Sequence, residues 1–202
     1  MERQLDTGDL AASSPAFSPD GASIAFEGRA PGAGDTDVYV IPAAGGAPTP
    51  LTVAGGDDAG PAWSPDGSTI YFVSTRSGAY EVHSVPAAGG PVTKVTTGSR
   101  IIGRPVVGPG GDRLYFARTR AGSSGTEVVR LVLDGGALEV VSSQGDSEPA
   151  VSPSGERIAM RSLRYGGTNA ELVVVDEADG GGETRLTNDP ASDGMPAFAP
   201  GP

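Results

Sequence analysis

The feature that most constrains the fold of this chain is a seven-residue pattern that begins with proline and occurs five times. Two copies have the form Pro-x-x-Ser-Pro-Asp-Gly and the others match it in register; the copies occupy residues 15–21, 61–67, 105–111, 149–155 and 196–202. Their first prolines are 46, 44, 44 and 47 residues apart. Repeats of about 40–50 residues are typical of β-propeller blades. The period therefore defines repeats at 14–56, 60–98, 104–145 and 148–188, with a partial repeat at 195–202.

Each repeat contains four short runs rich in β-branched and aromatic residues, separated by Gly, Pro, Asp and Ser. In the first repeat the runs are 15–18, 23–27, 37–41 and 49–52, and in every repeat the first run begins at the anchor proline of the pattern. This composition is typical of strands joined by tight turns, and no segment has the period of a long amphipathic helix. We predict an all-β fold: one β-propeller domain over residues 1–202, with four full repeats of four-stranded blades.

The Pro-Asp-Gly element is typical of a tight turn between the first two strands of a blade. Proline fixes φ, the aspartate side chain accepts hydrogen bonds from the backbone that follows it, and glycine adopts a positive φ. We therefore interpret Asp20 and Asp66 as turn residues.

Composition excludes several classes of function. The net charge of −11 and the pI near 4.4 argue against binding to nucleic acid or to an anionic membrane surface. The chain has no cysteine, which excludes a disulfide scaffold and a thiolate metal site, and no apolar run approaches the length of a membrane span. The first six residues lack a signal-peptide core. We expect either a cytoplasmic protein or one whose signal peptide has been removed.

Several motifs together resemble the TolB-type, WD-like β-propeller repeat. They are Ser-Pro-Asp-Gly, then Ile-Ala-Phe or Ile-Tyr-Phe, then Asp-Val-Tyr-Val, a Gly-Gly turn and Leu-Thr, and they recur over residues 3–202. The resemblance implies a periplasmic or envelope-associated protein if a signal peptide has been removed. It also implies six blades. Residues 3–6 are similar to 184–187, so we expect partial strands at both ends of the chain. The chain is then either a fragment of a larger propeller or a four-bladed ring with surplus ends.

No residue pattern predicts catalysis, a metal or a cofactor. The single histidine, His83, occupies a strand position held by Tyr39 and Val129 in other repeats, so we interpret it as a packing residue. One histidine cannot supply the histidine cluster of oligogalacturonate lyases, which have similar propellers. A Gly-x-Ser-x-Gly motif is missing, and the glycine-rich segments 122–125 and 180–182 lack the Lys-Ser/Thr of a phosphate-binding loop.

The long loops between second and third strands are the best candidates for binding, because binding residues are often placed on loops above a rigid scaffold. Arginine recurs there as Arg29, Arg76, Arg120 and Arg164. The loops between repeats bring acidic residues to the same rim: Asp9, Asp57, Asp58, Asp146, Glu148, Asp189 and Asp193. In one interpretation each arginine pairs with an acidic residue of a neighbouring blade. In the other, the rim is an acidic funnel for a cation or a basic partner segment.

We predict a non-enzymatic protein-interaction scaffold that uses its loop-rich face and channel mouth to bind another protein, with self-association through open blade edges. Glu148 and Arg104 are singled out because they replace Ser14 and Gly60 before the anchor proline, and Tyr165 because aromatic residues are frequent in interfaces. Two alternatives stay open: the gating propeller of a prolyl-oligopeptidase-type peptidase without its hydrolase, and a small-ligand or glycan binder. The predicted partner-binding residues are Asp57, Asp58, Arg104, Asp146, Glu148, Arg164 and Tyr165.

Overall fold

The computed structural model describes residues 4–53, 55–165, 169–188 and 190–199. These residues form sixteen strands in four antiparallel four-stranded sheets, and no helix occurs among them. The chain divides into two compact units, Met1–Ser99 (unit 1) and Arg100–Pro202 (unit 2), each with two sheets. We call the sheets blades one to four in chain order. The predicted all-β fold and four-stranded blades are confirmed, whereas the single domain stays a prediction.

In unit 1, the strands of each blade follow one another in chain order and pair with their neighbours. Blade one consists of β1 (Ala11–Phe17), β2 (Ser23–Arg29), β3 (Asp37–Pro42) and β4 (Thr49–Pro50). Blade two consists of β5 (Asp58–Trp63), β6 (Thr69–Ser74), β7 (Glu81–Pro86) and β8 (Thr93–Lys94).

Unit 2 has the same order and the same antiparallel pairing. Blade three consists of β9 (Ile101–Val107), β10 (Arg113–Thr119), β11 (Thr126–Val132) and β12 (Leu138–Ser142). Blade four consists of β13 (Asp146–Val151), β14 (Arg157–Ser162), β15 (Glu171–Asp176) and β16 (Thr184–Arg185).

The first strand of every blade begins three or four residues before the anchor proline, so the predicted starts are wrong. The cause is a β-bulge immediately before that proline. In blades one, two and four, the residue directly before the proline has a left-handed backbone, with φ 50° at Ser14, 60° at Gly60 and 51° at Glu148. In blade three the left-handed residue is Gly103, with φ 73°. A bulge breaks the alternation of inward and outward residues, so the segment before it resembles a loop in the sequence.

The fourth strands of blades one, two and four have only two residues each, fewer than predicted. Beyond them, a threonine side chain adds a hydrogen bond to the backbone of the third strand. The Thr52 hydroxyl accepts a hydrogen bond from Val38 N at 2.9 Å, and Thr96 accepts one from Val82 N at 2.9 Å. This threonine therefore connects the end of each of these blades to its third strand.

Each unit has its own apolar core. In unit 1, Phe72 and Ile70 are fully buried with Trp63 packed against them, and Trp63 Nε1 donates to Ala16 O of the neighbouring blade at 3.0 Å. In unit 2, the largest fully buried residues of the cluster are Tyr115, Ile158 and Met160. His83 is 3% exposed and stacks on Phe72 at 6.0 Å, which confirms its predicted packing role.

The partial strands predicted at the two ends are not formed in the described residues, since 4–10 and 193–199 contain no strand. Arg3 and residues 200–202, also part of that prediction, lie outside the described residues. The choice between a closed ring and a fragment stays a prediction.

Candidate functional site

A buried aspartate–arginine–serine clamp joins the first two strands of blade two. Asp58 begins β5 and lies opposite Ser74, the last residue of β6. Two residues later the chain places Arg76 so that its Nη2 lies 2.6 Å from Asp58 Oδ2, while its Nε donates to Ser74 Oγ at 2.9 Å. Asp58 is fully buried, and its other oxygen has no hydrogen-bond partner among the described residues. A carboxylate in this position is held by a charge-assisted bond.

Blade four repeats the clamp with Asp146, Ser162 and Arg164. Arg164 Nη2 lies 2.7 Å from Asp146 Oδ2, and its Nε donates to Ser162 Oγ at 2.9 Å. The same guanidinium contacts Glu183. Burial lowers the pKa of Arg164, but the hydrogen bonds and attraction from Asp146 and Glu183 outweigh burial and leave this pKa raised.

The predicted pairing of every rim arginine across neighbouring blades is therefore wrong. The two clamps lie within a blade, because Asp58 and Asp146 each face the end of the second strand of their own sheet. Arg29 is exposed, and neither it nor Arg120 has an ion pair within the described residues. The clamp aspartate is missing in their blades, where Ala12 pairs with Gly28 and Ile101 pairs with Arg118.

A second polar contact was not predicted from the sequence and recurs at the start of third strands. Buried Glu81 accepts hydrogen bonds from Thr96 Oγ1 at 2.5 Å and from Ser99 N at 2.9 Å. Glu171 accepts one from Thr187 Oγ1 at 2.9 Å, and Asp37 one from Thr52 at 3.2 Å. The signal was available as an acidic residue about fifteen positions before a threonine in three repeats. These carboxylates stabilise the blades.

The two charged residues that precede anchor prolines are exposed. Arg104 lies at the bulge of β9, and Glu148 at that of β13, where its side chain is 42% exposed. Glu148 Oε2 accepts a hydrogen bond from Met195 N at 2.6 Å, and Arg161 Nε lies 4.0 Å from Oε1. A left-handed backbone costs an L-residue about 1–2 kcal/mol, so Glu148 occupies a position that favours glycine.

The remaining predicted residues lie in separate places. Asp57 is half-buried and its carboxylate accepts hydrogen bonds from the backbone and hydroxyl of Thr36. Tyr165 is 39% exposed; its hydroxyl donates to Glu183, and the Arg185 guanidinium lies 4.4 Å from the ring centroid. Asp189, predicted at the rim, lies outside the described residues.

The structure thus separates the predicted partner-binding residues by exposure. Asp58 and Asp146 are fully buried and the Arg164 side chain is 8% exposed, so these three present almost no surface to a partner. Arg104, Glu148, Asp57 and Tyr165 keep exposed surface. Partner binding by these four stays a prediction.

Metal-ligating side chains do not form a cluster among the described residues. Within the described ranges, no group of three or more His, Cys, Asp or Glu side chains could hold a metal ion. Burial lowers the pKa of His83, which favours the neutral imidazole inside the sheet.

The described part of the chain contains no helix with the length and apolarity to span a bilayer.

Comparison with known proteins places this architecture in a family. A family model described as the TolB beta propeller domain matches residues 7–149, more than half of the chain. A putative TolB from Agrobacterium tumefaciens is similar with a TM-score of 0.77 and 27% identity, over 91% of this chain and 68% of that one. TolB from Acinetobacter baumannii has a TM-score of 0.80 and 22% identity, over 96% and 47%.

Enzymes share the same fold at lower identity. An oligogalacturonate lyase in complex with manganese has a TM-score of 0.65 at 18% identity, over 84% of this chain and 50% of that one. A puromycin-hydrolysing peptidase of Mycobacterium tuberculosis has a TM-score of 0.73 at 18% identity, over 92% of this chain and 30% of that one. The chain therefore spans between about a third and two thirds of these proteins. With four bulged, four-stranded blades and a family match over most of its length, the chain belongs to the TolB β-propeller domain family.

Proposed function

We propose that this chain is a non-enzymatic protein-interaction scaffold whose partner contacts the exposed bulge residues Arg104 and Glu148, with Tyr165 as an aromatic contact. The observation that carries the proposal is the backbone of Glu148. An exposed charged residue occupies a left-handed position that Gly60 fills without strain in blade two. Strained positions are frequent at functional sites.

Arg104 supports the same proposal, because it lies in the bulge of the neighbouring first strand of unit 2 and, like Glu148, immediately precedes an anchor proline. β9 and β13 contact each other, and both are edge strands of their sheets. An exposed arginine and an exposed glutamate at the bulges of two neighbouring strands form a charge pattern that a complementary protein surface can recognise. The family resemblance favours the periplasm as the compartment.

Site-specific photo-crosslinking tests the proposal. A benzoylphenylalanine placed at Arg104 or Tyr165 is expected to capture the same protein in cells, whereas the control position Asp134, an exposed residue between β11 and β12, captures none of it. With that partner purified, the double change R104S and E148G is expected to weaken binding about tenfold, or roughly 1.4 kcal/mol. Equal capture at Asp134, or unchanged affinity of the double variant, contradicts the proposal.

The same experiment separates the alternatives. A captured protein with a hydrolase domain favours the peptidase interpretation. A selective thermal shift with a sugar, and no crosslinked protein, favours the glycan binder.

A further inference from the structure

Unit 1 contains a groove of about 620 Å³ between the Pro-Asp-Gly turns of its two blades. Its apolar lining includes Val40, Trp63 and Ala87, and the carboxylate-bearing turn residues Asp20 and Asp66 line it as well. Both aspartates are exposed. The groove lies at the end of the strands opposite to the loops that hold Arg76, so it is distinct from the surface of the proposed function.

Four repeat positions at or beneath the groove carry small side chains in unit 1. Strand pairing shows which positions of unit 2 are equivalent to them. Ala25 pairs with Val40 in blade one, and Tyr115 pairs with Arg130 in blade three. Ala25 is therefore equivalent to Tyr115, and Val40 to Arg130. By the same comparison of strand pairing, Ser23 is equivalent to Arg113, and Ala87 is equivalent to Glu177. In unit 1 all four side chains are short.

In unit 2 the equivalent space is filled by a cluster of charged side chains around Glu177. Its Oε1 accepts a hydrogen bond from Tyr115 Oη at 2.6 Å and lies 3.0 Å from Arg130 Nη1 and 3.2 Å from Arg113 Nη1. Arg130 also donates to Glu177 O at 2.7 Å. This pair of blades therefore holds guanidinium groups at the position that unit 1 leaves open.

Unit 1 also has the anionic groups that a guanidinium needs. At the turn positions of Asp20 and Asp66, unit 2 has Gly110 and Ser154. Asp66 Oδ1 accepts hydrogen bonds from Ser64 Oγ at 2.6 Å and Ser68 N at 3.0 Å. The bond from Ser64, with those from Ser68, lowers the pKa of Asp66 to about 2, and a bond from Ser18 lowers that of Asp20. Both carboxylates are ionised at neutral pH.

Trp63 supplies an aromatic wall. Its Nε1 is fixed by the bond to Ala16 O at 3.0 Å, which restrains the orientation of the indole. Arginine suits such a site better than lysine, because the guanidinium is planar, stacks on aromatic faces and binds carboxylates through several N–H groups.

We infer that this groove binds an arginine side chain presented by a partner protein, with Trp63 as the apolar wall and Asp20 and Asp66 as the counter-charges. Two observations identify a guanidinium group as the occupant: the negative charge of the two carboxylates, and the guanidinium groups that fill the equivalent space in unit 2. The inference does not rest on the proposed function, since the two sites lie at opposite ends of the strands and are tested with different residues.

Trp63 is the only tryptophan of the chain, so its fluorescence reports the groove directly. We expect N-acetyl-arginine amide, titrated at low salt, to give a saturable change in Trp63 emission. The neutral isostere N-acetyl-citrulline amide should give none. An equal response to both probes, or none to the arginine probe, overturns the inference.

Two variants localise the response. Asp66→Asn keeps the oxygen that accepts the turn hydrogen bonds but removes the charge, and is expected to weaken binding about threefold; Asp134→Asn, an exposed carboxylate of unit 2, should leave it unchanged. Val40→Arg combined with Ala87→Glu fills the groove as unit 2 does and should abolish the response while circular dichroism stays that of the parent. Parent-like binding by both groove variants also overturns the inference.

Discussion

Unit 1 and unit 2 each contain two blades with the same strand order and antiparallel pairing, yet they close the space between their blades in different ways. Unit 1 packs Trp63 against the neighbouring blade and leaves a groove lined by Val40 and Ala87. Unit 2 fills the same positions with Arg130 and Glu177, joined by ion pairing and a backbone hydrogen bond. The backbone of the repeat is therefore compatible with either solution, and a few side chains decide whether two blades enclose a binding groove or a polar cluster.

The largest effect in this comparison is expected from Glu177→Ala. The change leaves two guanidinium groups and the buried Tyr115 hydroxyl without their shared acceptor, and breaking a buried charge pair costs about 3–5 kcal/mol. Because Arg113 is 40% exposed, we expect the lower end, about 3 kcal/mol, in the free energy of unfolding from urea denaturation. The exposed neighbour Glu156→Ala is the control; an equal loss in both variants contradicts the role of the cluster.

The clamps provide a matched comparison between blades. Arg76→Ala and Arg164→Ala each leave a buried aspartate without its cation, and we expect each to lower the free energy of unfolding by about 2 kcal/mol. Arg29→Ala removes the rim arginine of blade one, which is exposed and has no ion pair in the described part of the chain, and should change stability by less than about 0.5 kcal/mol. Comparable losses in all three variants would refute the clamp.

Tyr115→Phe removes one hydrogen bond from the unit 2 cluster, and we expect a loss of about 1.5 kcal/mol at neutral pH. Burial, together with the bond to Glu177, raises the pKa of Tyr115 to about 12. A raised pKa favours the protonated phenol in the folded state. Its stabilisation is therefore complete below pH 10 and is lost as the pH rises to about 12.

Urea denaturation between pH 9 and 12 checks this dependence. The parent protein should lose more stability over that range than Tyr115→Phe does. The control Tyr80→Phe, at an exposed tyrosine, should follow the parent, and parallel curves for all three proteins would rule out the phenol as the titrating group.

The smallest expected effect is a gain. Glu148→Gly relieves the left-handed backbone, but it gives up the bond from Met195 N, so we expect a net increase of about 0.5 kcal/mol in the free energy of unfolding. Gly60→Ala places a side chain at the equivalent position of blade two and should lower stability by about 1 kcal/mol. Loss of stability in Glu148→Gly would show that the side-chain contact outweighs the strain.

The sequence was sufficient to predict the features that depend on local chemistry. The anchor period gave the number of blades, and the Asp66 turn forms as expected because aspartate and glycine satisfy a tight turn wherever it occurs. The bulge at Glu148 was missed, since neither serine nor glutamate signals a left-handed backbone.

Features that depend on register could not be predicted. The clamp places Asp58 opposite Ser74, sixteen residues away, and only the strand pairing shows that they belong to one blade. The groove depends on small side chains at Ser23, Ala25, Val40 and Ala87, whose proximity arises from two blades packing together. A turn depends on residues that are neighbours in the sequence and can be predicted from it. Both proposed binding sites depend on residues that only strand pairing and blade packing bring together.

The anchor prolines have one more consequence, which concerns misassembly. A chain of similar repeats is at risk of pairing the wrong copies, and exposed sheet edges are the usual route to aggregation. Pro15, Pro61, Pro105 and Pro149 each lie within an edge strand and remove its N–H group, next to a bulge that bends the same edge. At the opposite edge of blades one, two and four, the fourth strand is only two residues long. The repeat that builds the blades thus also limits their capacity to recruit foreign strands.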